Sequence, residues 1–377
     1  MPRDVQLSLM IGPAVPVPVP QSVVDALQGV TVTTTAERGK PSGFQLIFAL
    51  NNRSPLTTLF LVSGGAPIPL VRVVITAVIG GTPEVLIDGV MTQHQFQPGT
   101  GGQPGTLTVT GEDLSRAMDY IPFSGIPYPA MPPEARVLII LAKYALFGVI
   151  PLVIPSVLID VPIPTNEIPR HQGTDRFYLN KLADDVGYTF YLEPGPAPGT
   201  SVAYWGPEIK VGVPQPALNL DMDAFTNVES LSFTYAGEDF KLPRISIQEP
   251  NSKAVISIPV PPITPLNPPL GLIPPIPTGF DDIPRTAKLS PLRAAMIGLA
   301  KAAQKGDVVK ATGKLDVVRY GRPLKARRLV GVRGAGAAFD GLYYVQSVTH
   351  EIRRGEYKQS FSLTRFGLVS TLPRVPA

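Results

Sequence analysis

The chain has 377 residues, 44% of them apolar, with 35 glycines, 44 prolines and no cysteine, so it can bury more than one core between many short elements. Lacking cysteine, it is excluded from disulfide scaffolds and thiolate metal sites, which fits a reducing compartment. The formal charge of +4 is modest but uneven: from Lys305 to Arg365 thirteen Lys and Arg face five Asp and Glu, an excess suited to nucleic acid, an acidic partner or a solvated rim.

The opening MPRDVQLSLMIGPAVPVPVP is apolar but interrupted by proline and lacks a basic leader, so no signal peptide is expected. Strand signals then dominate: Phe44 to Leu50, Leu70 to Ile79, Val85 to Phe96 and Thr106 to Thr110, which predicts an antiparallel barrel or sandwich. After it, Gly111 to Asp119 reads as a strand end and a short helix capped by Asp113.

The middle third changes character. Val137 to Ile159 holds a single charge, Lys143, but Gly148, Pro151 and Pro155 interrupt it. A buried helix ending near Gly148 and an extended segment are expected there, not a membrane span. A second helix is capped by Thr174, carries the stripe Tyr178, Leu179, Leu182, Ala183, Val186, and stops at Gly187 before the strand Tyr188 to Leu192. These elements form a small α/β domain.

From Val228 the strand pattern returns, broken by a proline-dense run from Pro250 to Pro284. Proline lacks the backbone donor, so this run is expected to be an extended strap or linker, not a central strand. Ser290-Pro291 opens a helix through Gln304, and strands follow at Val308 to Tyr320, Ala326 to Val332 and in a hairpin about Arg353-Arg354-Gly355-Glu356. This hairpin echoes the first third: with Gln346 to Ile352 under Val90 to Phe96, His350 falls under His94, and with Ser360 to Arg365 under Thr106 to Gly111, Phe361 falls under Leu107. A duplicated barrel is the expectation this raises.

Chemistry is sparse. The three histidines, His94, His171 and His350, show no metal-ligand spacing, and no GxSxG or GxxxxGK[ST] motif is present. Gly334 to Phe339 imitates a dinucleotide fingerprint but precedes a hairpin, so it is read as a loop. Asp184-Asp185 and Asp281-Asp282 are read as solvated surface. No catalytic residue, cofactor or metal is expected, and the chain is not expected to be an enzyme. Arg319, Arg322, Lys325, Arg327 and Arg328 lack interleaved aromatics for stacking on nucleic acid.

Gly313 to Gly336 (GKLDVVRYGRPLKARRLVGVRGAG), Phe339 to Arg365, Thr108 to Asp119 and Gly173 to Gly195 together resemble phage late control D proteins and the hub part of VgrG spikes. The resemblance implies a homotrimer with two tube-like antiparallel β-barrels per chain, joined by a small α/β domain and giving a pseudo-six-fold ring. The expected domains are 1–118, 119–225 and 226–370, the last interrupted by a strap at 250–285 and a helix at 290–304. The implied role is a baseplate hub that adapts a six-fold inner tube to a three-fold spike. Its partners are the tube protein, other baseplate components and a spike on a separate chain, since this one stops soon after the second barrel. It is expected to assemble in the bacterial cytoplasm into a phage tail or tail-like particle. Arg353, Arg354, Glu356, Lys358, Arg327 and Arg328 are the candidate interface residues. The alternative is a β-rich binding module for nucleic acid or glycan that uses the basic last third; a cell-wall hydrolase is a third reading.

Overall fold

The computed structural model describes residues 5–372 except 14, 51–69, 102, 157–163, 166–167, 249–252, 285 and 287–290. In its first part, alternating apolar and small polar side chains build β1 (Val5–Gly12), β2 (Val17–Pro18), β3 (Leu27–Thr35), β4 (Gly43–Leu50), β5 (Arg72–Ile79), β6 (Thr82–Gln97) and β7 (Gly105–Asp113). They lie in the order β3-β4-β7-β6-β5-β1-β2. On one face Val32, Leu46, Phe48 and Val109 are wholly buried, each stabilising the fold by roughly 1.5–3 kcal/mol. The long β6 pairs with β5 and then with β7, changing partner near Gly89. A Cβ on Gly89 would lie 2.3 Å from the Glu112 carbonyl oxygen, so only glycine lets the two strands approach there. Asp113 is the expected cap: Ser115 N donates to its Oδ1 at 3.0 Å and Ser42 N to its Oδ2 at 2.8 Å.

The middle part is a compact α/β layer. The helix Pro133–Ala142 has proline in its first turn, and the chain then turns through Ala145–Phe147 to Gly148, whose φ is +70°. From there it enters β8 (Val149–Val153), as the glycine and prolines predict; residues 157–159 of that apolar run lie outside the described residues. Thr174 caps the helix Asp175–Asp185, its Oγ1 accepting from Phe177 N at 3.2 Å. β9 (Thr189–Pro194) and β10 (Ser201–Gly206) complete a sheet ordered β8-β10-β9. Val137, Ile140, Leu141, Leu179, Leu182 and Trp205 fill the core between helices and sheet. Among the described residues no helix is long and apolar enough to cross a membrane.

The last part contains β11 (Gln215–Asn219), β12 (Val228–Tyr235), β13 (Leu242–Gln248), β14 (Val255–Pro259), β15 (Gly271–Ile273), β16 (Phe280–Asp282), β17 (Val309–Asp316), β18 (Leu329–Arg333), β19 (Gly341–Arg353), β20 (Glu356–Arg365) and β21 (Leu368–Ser370). The expected strand to Tyr320 stops at Asp316, whose Oδ1 accepts from Val318 N at 2.8 Å and Arg319 N at 3.2 Å and caps a helical turn. The strand expected from Ala326 begins at Leu329, because Arg327 has a left-handed φ of +60°. The described part of the proline run is extended and contributes only short or edge strands: β14 pairs with β13 alone, and β15 with β21. The sheet β14-β13-β16 packs on the helix Pro291–Lys305 through Ile245, Val260, Ile283, Ala294 and Ala302. Residues 250–252 and the helix-opening Ser290 lie outside the described residues.

One sheet unites the first and last parts: β12-β17-β20-β19-β3-β4-β7-β6-β5-β1-β2, with β18 on β19 and β11 on β18. The series β12-β17-β20-β19-β18 repeats β3-β4-β7-β6-β5 in order and register. A bulge at Thr92 sits between β6 and β7, and one at Gln346 between β19 and β20. Gln28 bulges between β3 and β4, and Glu229 between β12 and β17. Phe44↔Gly111 in the bulge-free β4-β7 pair corresponds to Ala311↔Leu363 in β17-β20. The bulges correct the sequence superposition by two residues: His94 corresponds to Val348, and His350 to Phe96. A shift of two preserves strand alternation, so the pattern alone could not detect it. The repeat ends at the last strand, since β1 is antiparallel to β5 but β11 is parallel to β18.

Candidate assembly surface

Alternation along these strands sends Val30, Val32, Val348 and Phe361 into the core and small polar groups to the other face. That face carries Thr31 and Thr33 of β3, Thr106, Thr108 and Thr110 of β7, Ser347 and Thr349 of β19, Ser360 and Ser362 of β20, Thr312 of β17, and Ser230, Ser232 and Thr234 of β12. Cross-strand hydroxyls meet there: Thr33 Oγ1 with Thr349 Oγ1 at 3.1 Å, Ser347 Oγ with Ser362 Oγ at 2.6 Å, Ser232 Oγ with Thr312 Oγ1 at 3.1 Å. A shallow depression of about 450 Å³ runs over Ser232, Thr312, Ser347 and Ser362. Short, uncharged, mutually bonded hydroxyls give a hydrated face with little apolar grip.

The sheet has two incomplete edges. β12 pairs with β17 alone, and beyond Gly89–Met91 the rest of β6, through Gln97, pairs only with β7. Phe96 on β6 is 49% exposed and Tyr235 on β12 is 44% exposed. The equivalent stretch of β19 is covered: Ser347 to Arg353 pairs with Thr35 to Gly29 of β3, and His350 is only 4% exposed.

The residues singled out by sequence occupy two separate places. Arg353-Arg354-Gly355-Glu356 is the tight turn between β19 and β20, with Gly355 at φ +76°. Arg354 Nη2 donates to the Asp25 carbonyl at 2.5 Å, and the turn borders a groove of about 760 Å³ with Val5, Leu7, Asp25 and Gly29. Lys358 bridges Glu356 at 3.0 Å and Glu229 at 3.1 Å, contacts that hold its ammonium above the ordinary lysine range. Arg327 lies elsewhere, between β18 and the middle layer. Its guanidinium sits 3.9 Å from the Tyr191 ring centroid and 3.5 Å from Glu193 Oε1, and donates to the Thr35 carbonyl. Its neighbour Arg328 is exposed.

Polar clusters that sequence reasoning missed are buried struts. Arg72 Nε and Nη2 reach Asp88 Oδ1 and Oδ2 at 2.7 and 2.5 Å; Nη2 also donates to the Gly199 carbonyl at 2.8 Å, and Ser201 Oγ to Asp88 Oδ2 at 3.2 Å. Asp175 accepts from Lys143 Nζ at 2.7 Å and Tyr144 Oη at 2.7 Å, with His171 Nε2 3.4 Å away and His171 Nδ1 3.0 Å from Tyr128 Oη. Burial lowers the His171 pKa against the opposing pull of Asp175, and burial with the Asp175 contact pushes the Tyr144 phenol far up. His171 and Asp175 are 1% and 0% exposed, which fits a closed anchor. The Asp pairs read as solvated surface are ion-paired instead: Asp184 with Arg38 at 3.2 Å, Asp185 with Arg293 at 3.5 Å, Asp282 with Arg244 at 2.6 Å. Their partners are distant in sequence, so composition gave no signal. Gly334 to Phe339 is a loop, as read, with left-handed glycines at 334 and 336.

No protein-family model and no curated protein sequence matches the chain. Solved structures do. A tail protein from Neisseria meningitidis MC58 superposes with a TM-score of 0.62 at 14% identity, covering 96% of this chain and 96% of that one. The 43 kDa tail protein of prophage MuSo2 from Shewanella oneidensis gives 0.60 at 14% identity, with 96% and 98% covered. A chain of the Francisella PdpA-VgrG complex gives 0.57 at 8% identity, with 99% of this chain and 60% of that chain covered. The fold is that of VgrG-like phage-tail proteins.

Proposed function

We propose that the chain is a structural hub of a contractile phage tail or tail-like injection particle, a homotrimer whose two tube-like barrels per subunit form a pseudo-six-fold ring. In this role it seats a three-fold spike under a six-fold inner tube and contacts the tube protein, the spike and other baseplate components. The observation that carries the reading is the repeat itself: two strand series in equal register, joined edge to edge by β19 and β3 in one chain. Two such units per subunit convert three-fold into near six-fold symmetry without a second gene product. The hydroxyl-rich face suits the wall of a channel, since it can slide past a passenger without a strong apolar or ionic hold.

The function is mechanical, resting on interface area and strand pairing. The polar clusters support this by acting as internal struts. The basic last third is a weaker candidate for a nucleic-acid site, because its charges are spent internally: Lys325 on Glu84 at 2.7 Å, Lys358 on Glu229 at 3.1 Å, and the wholly buried Arg365 on the carbonyls of Gly367, Asp340 and Ala338. Mass photometry of the purified chain is expected to show a species of three copies, and electron microscopy with the tube protein a six-fold ring seated on it. A chain that remains monomeric and ignores the tube protein refutes the reading.

A further inference from the structure

We infer that the trimer ring closes by strand pairing between the outer part of β6 in one copy and β12 in the next, in the register of the internal β19-β3 junction. The number of copies rests on the proposed function; the choice of edges and their register does not. β19 bears the same relation to β20 that β6 bears to β7, and β12 the same relation to β17 that β3 bears to β4. The internal junction therefore joins a β6-type edge to a β3-type edge, and the two edges left over in each chain are one of each kind. Different edges on one molecule pair head to tail, which closes a ring.

The bulges fix the register. Thr92 corresponds to Gln346 and Gln28 to Glu229, so the internal pairs Val348↔Thr34 and Thr349↔Thr33 translate into His94↔Tyr235 and Gln95↔Thr234 between copies. Phe96 then faces Phe233, in the places held internally by His350 and Val32, which are 4% and 0% exposed. The exposed Phe96 and Tyr235 thus lie on the core face, and a second copy would bury them. Gln95 and Thr234 extend the hydroxyl face where Thr349 and Thr33 meet at 3.1 Å. Both the core and the polar face are incomplete at these edges until a neighbouring copy docks.

Because the natural chain contains no cysteine, disulfide trapping reads the junction directly. Two double variants of the full chain, His94→Cys with Tyr235→Cys and Gln95→Cys with Thr234→Cys, occupy adjacent antiparallel pairs. One of the two is the narrow, non-hydrogen-bonded kind, with Cβ atoms close enough to bridge. The control, Gln95→Cys with Ser232→Cys, is displaced by two residues. Mild oxidation is expected to convert one in-register variant to a covalent closed trimer on a non-reducing gel and to leave the control largely unlinked. The unmodified chain gives an independent reading: on assembly the amides of Gln93 to Gln97 should exchange at least tenfold more slowly. If three copies assemble but neither in-register variant links, or the control links equally, or those amides stay unprotected, the junction is wrong while the hub reading stands. If the chain is monomeric at tens of micromolar, both fall.

Discussion

Thr92 and Gln346 occupy the same place in the two strand series. Each is the unpaired residue of a bulge just beyond the point where a long strand leaves its earlier neighbour, Val90 being paired with Arg72 and Tyr344 with Leu329. A bulge adds twist and re-aims the strand. In β19 this brings Ser347 to Arg353 alongside β3. Deleting Gln346 forces either a one-residue slip, which moves Val348, His350 and Ile352 to the polar face, or loss of the β3 pairing. We expect a protein without a cooperative unfolding transition, whereas Gln346→Thr should stay within about 0.5 kcal/mol of the parent in urea titrations. A deletion variant with parental stability would show that the bulge does not set the register.

The Arg72–Asp88 pair, 2% and 3% exposed, fastens the first strand series to the Gly199–Ser201 turn of the middle layer. Asp88→Asn leaves a buried guanidinium without its counter-charge and should cost roughly 3–5 kcal/mol. Replacing both partners, Arg72→Met with Asp88→Leu, removes the buried charges together and should recover most of that loss. Urea unfolding of the two variants tests this. If the double variant is as unstable as Asp88→Asn, the lost bonds to Gly199 and Ser201 matter more than the stranded charge.

His350 is buried, with Nδ1 2.7 Å from Tyr357 Oη and 3.2 Å from Gln359 Nε2, and burial lowers its pKa to about 3. The unfolded chain binds the proton near the ordinary histidine pKa of about 6.5, so between the two values the unfolded state holds more protons. Stability from this group is complete above about pH 6.5 and declines as the pH falls toward 3, by up to roughly 4 kcal/mol. His350→Gln should flatten that part of the stability–pH curve and lower stability at pH 7. An unchanged curve between pH 6.5 and 4 would assign the acid sensitivity to other groups, the buried His171 first.

Much of the fold was legible in the sequence because it rests on local rules. The caps at Asp113 and Thr174, the glycine exit at Gly148, the strand pairs around Val90 and Val348 and the turn at Gly355 each follow from residues within a few positions. What escaped needed contacts across the chain. The Arg72–Asp88 and Lys143–Asp175 bonds join separate elements, and the ion pairs of Asp184 and Asp185 have partners far away. The repeat was visible as alternation, yet its register was not, since only the bulges at Thr92 and Gln346 distinguish it from a shift of two. The unpaired edges likewise became apparent only once the order of strands was known.

Arg327 offers the most direct test of how the last part is braced against the middle layer. Its guanidinium stacks on Tyr191 at 3.9 Å, approaches Glu193 and donates to the Thr35 carbonyl, and its backbone N–H donates to Val345 O at 2.9 Å. The planar fork serves the ring and the carbonyl together, which a lysine ammonium cannot do. We therefore expect Arg327→Lys to lose nearly as much stability as Arg327→Ala, on the order of 1–3 kcal/mol, and the exposed Arg328→Ala to change it by less than about 0.5 kcal/mol. A double-mutant cycle with Tyr191→Leu should return a coupling of roughly 0.5–2 kcal/mol. If the coupling is near zero while Arg327→Ala remains costly, the bonds to Thr35 and Glu193 carry the brace and the ring is only packing beside it.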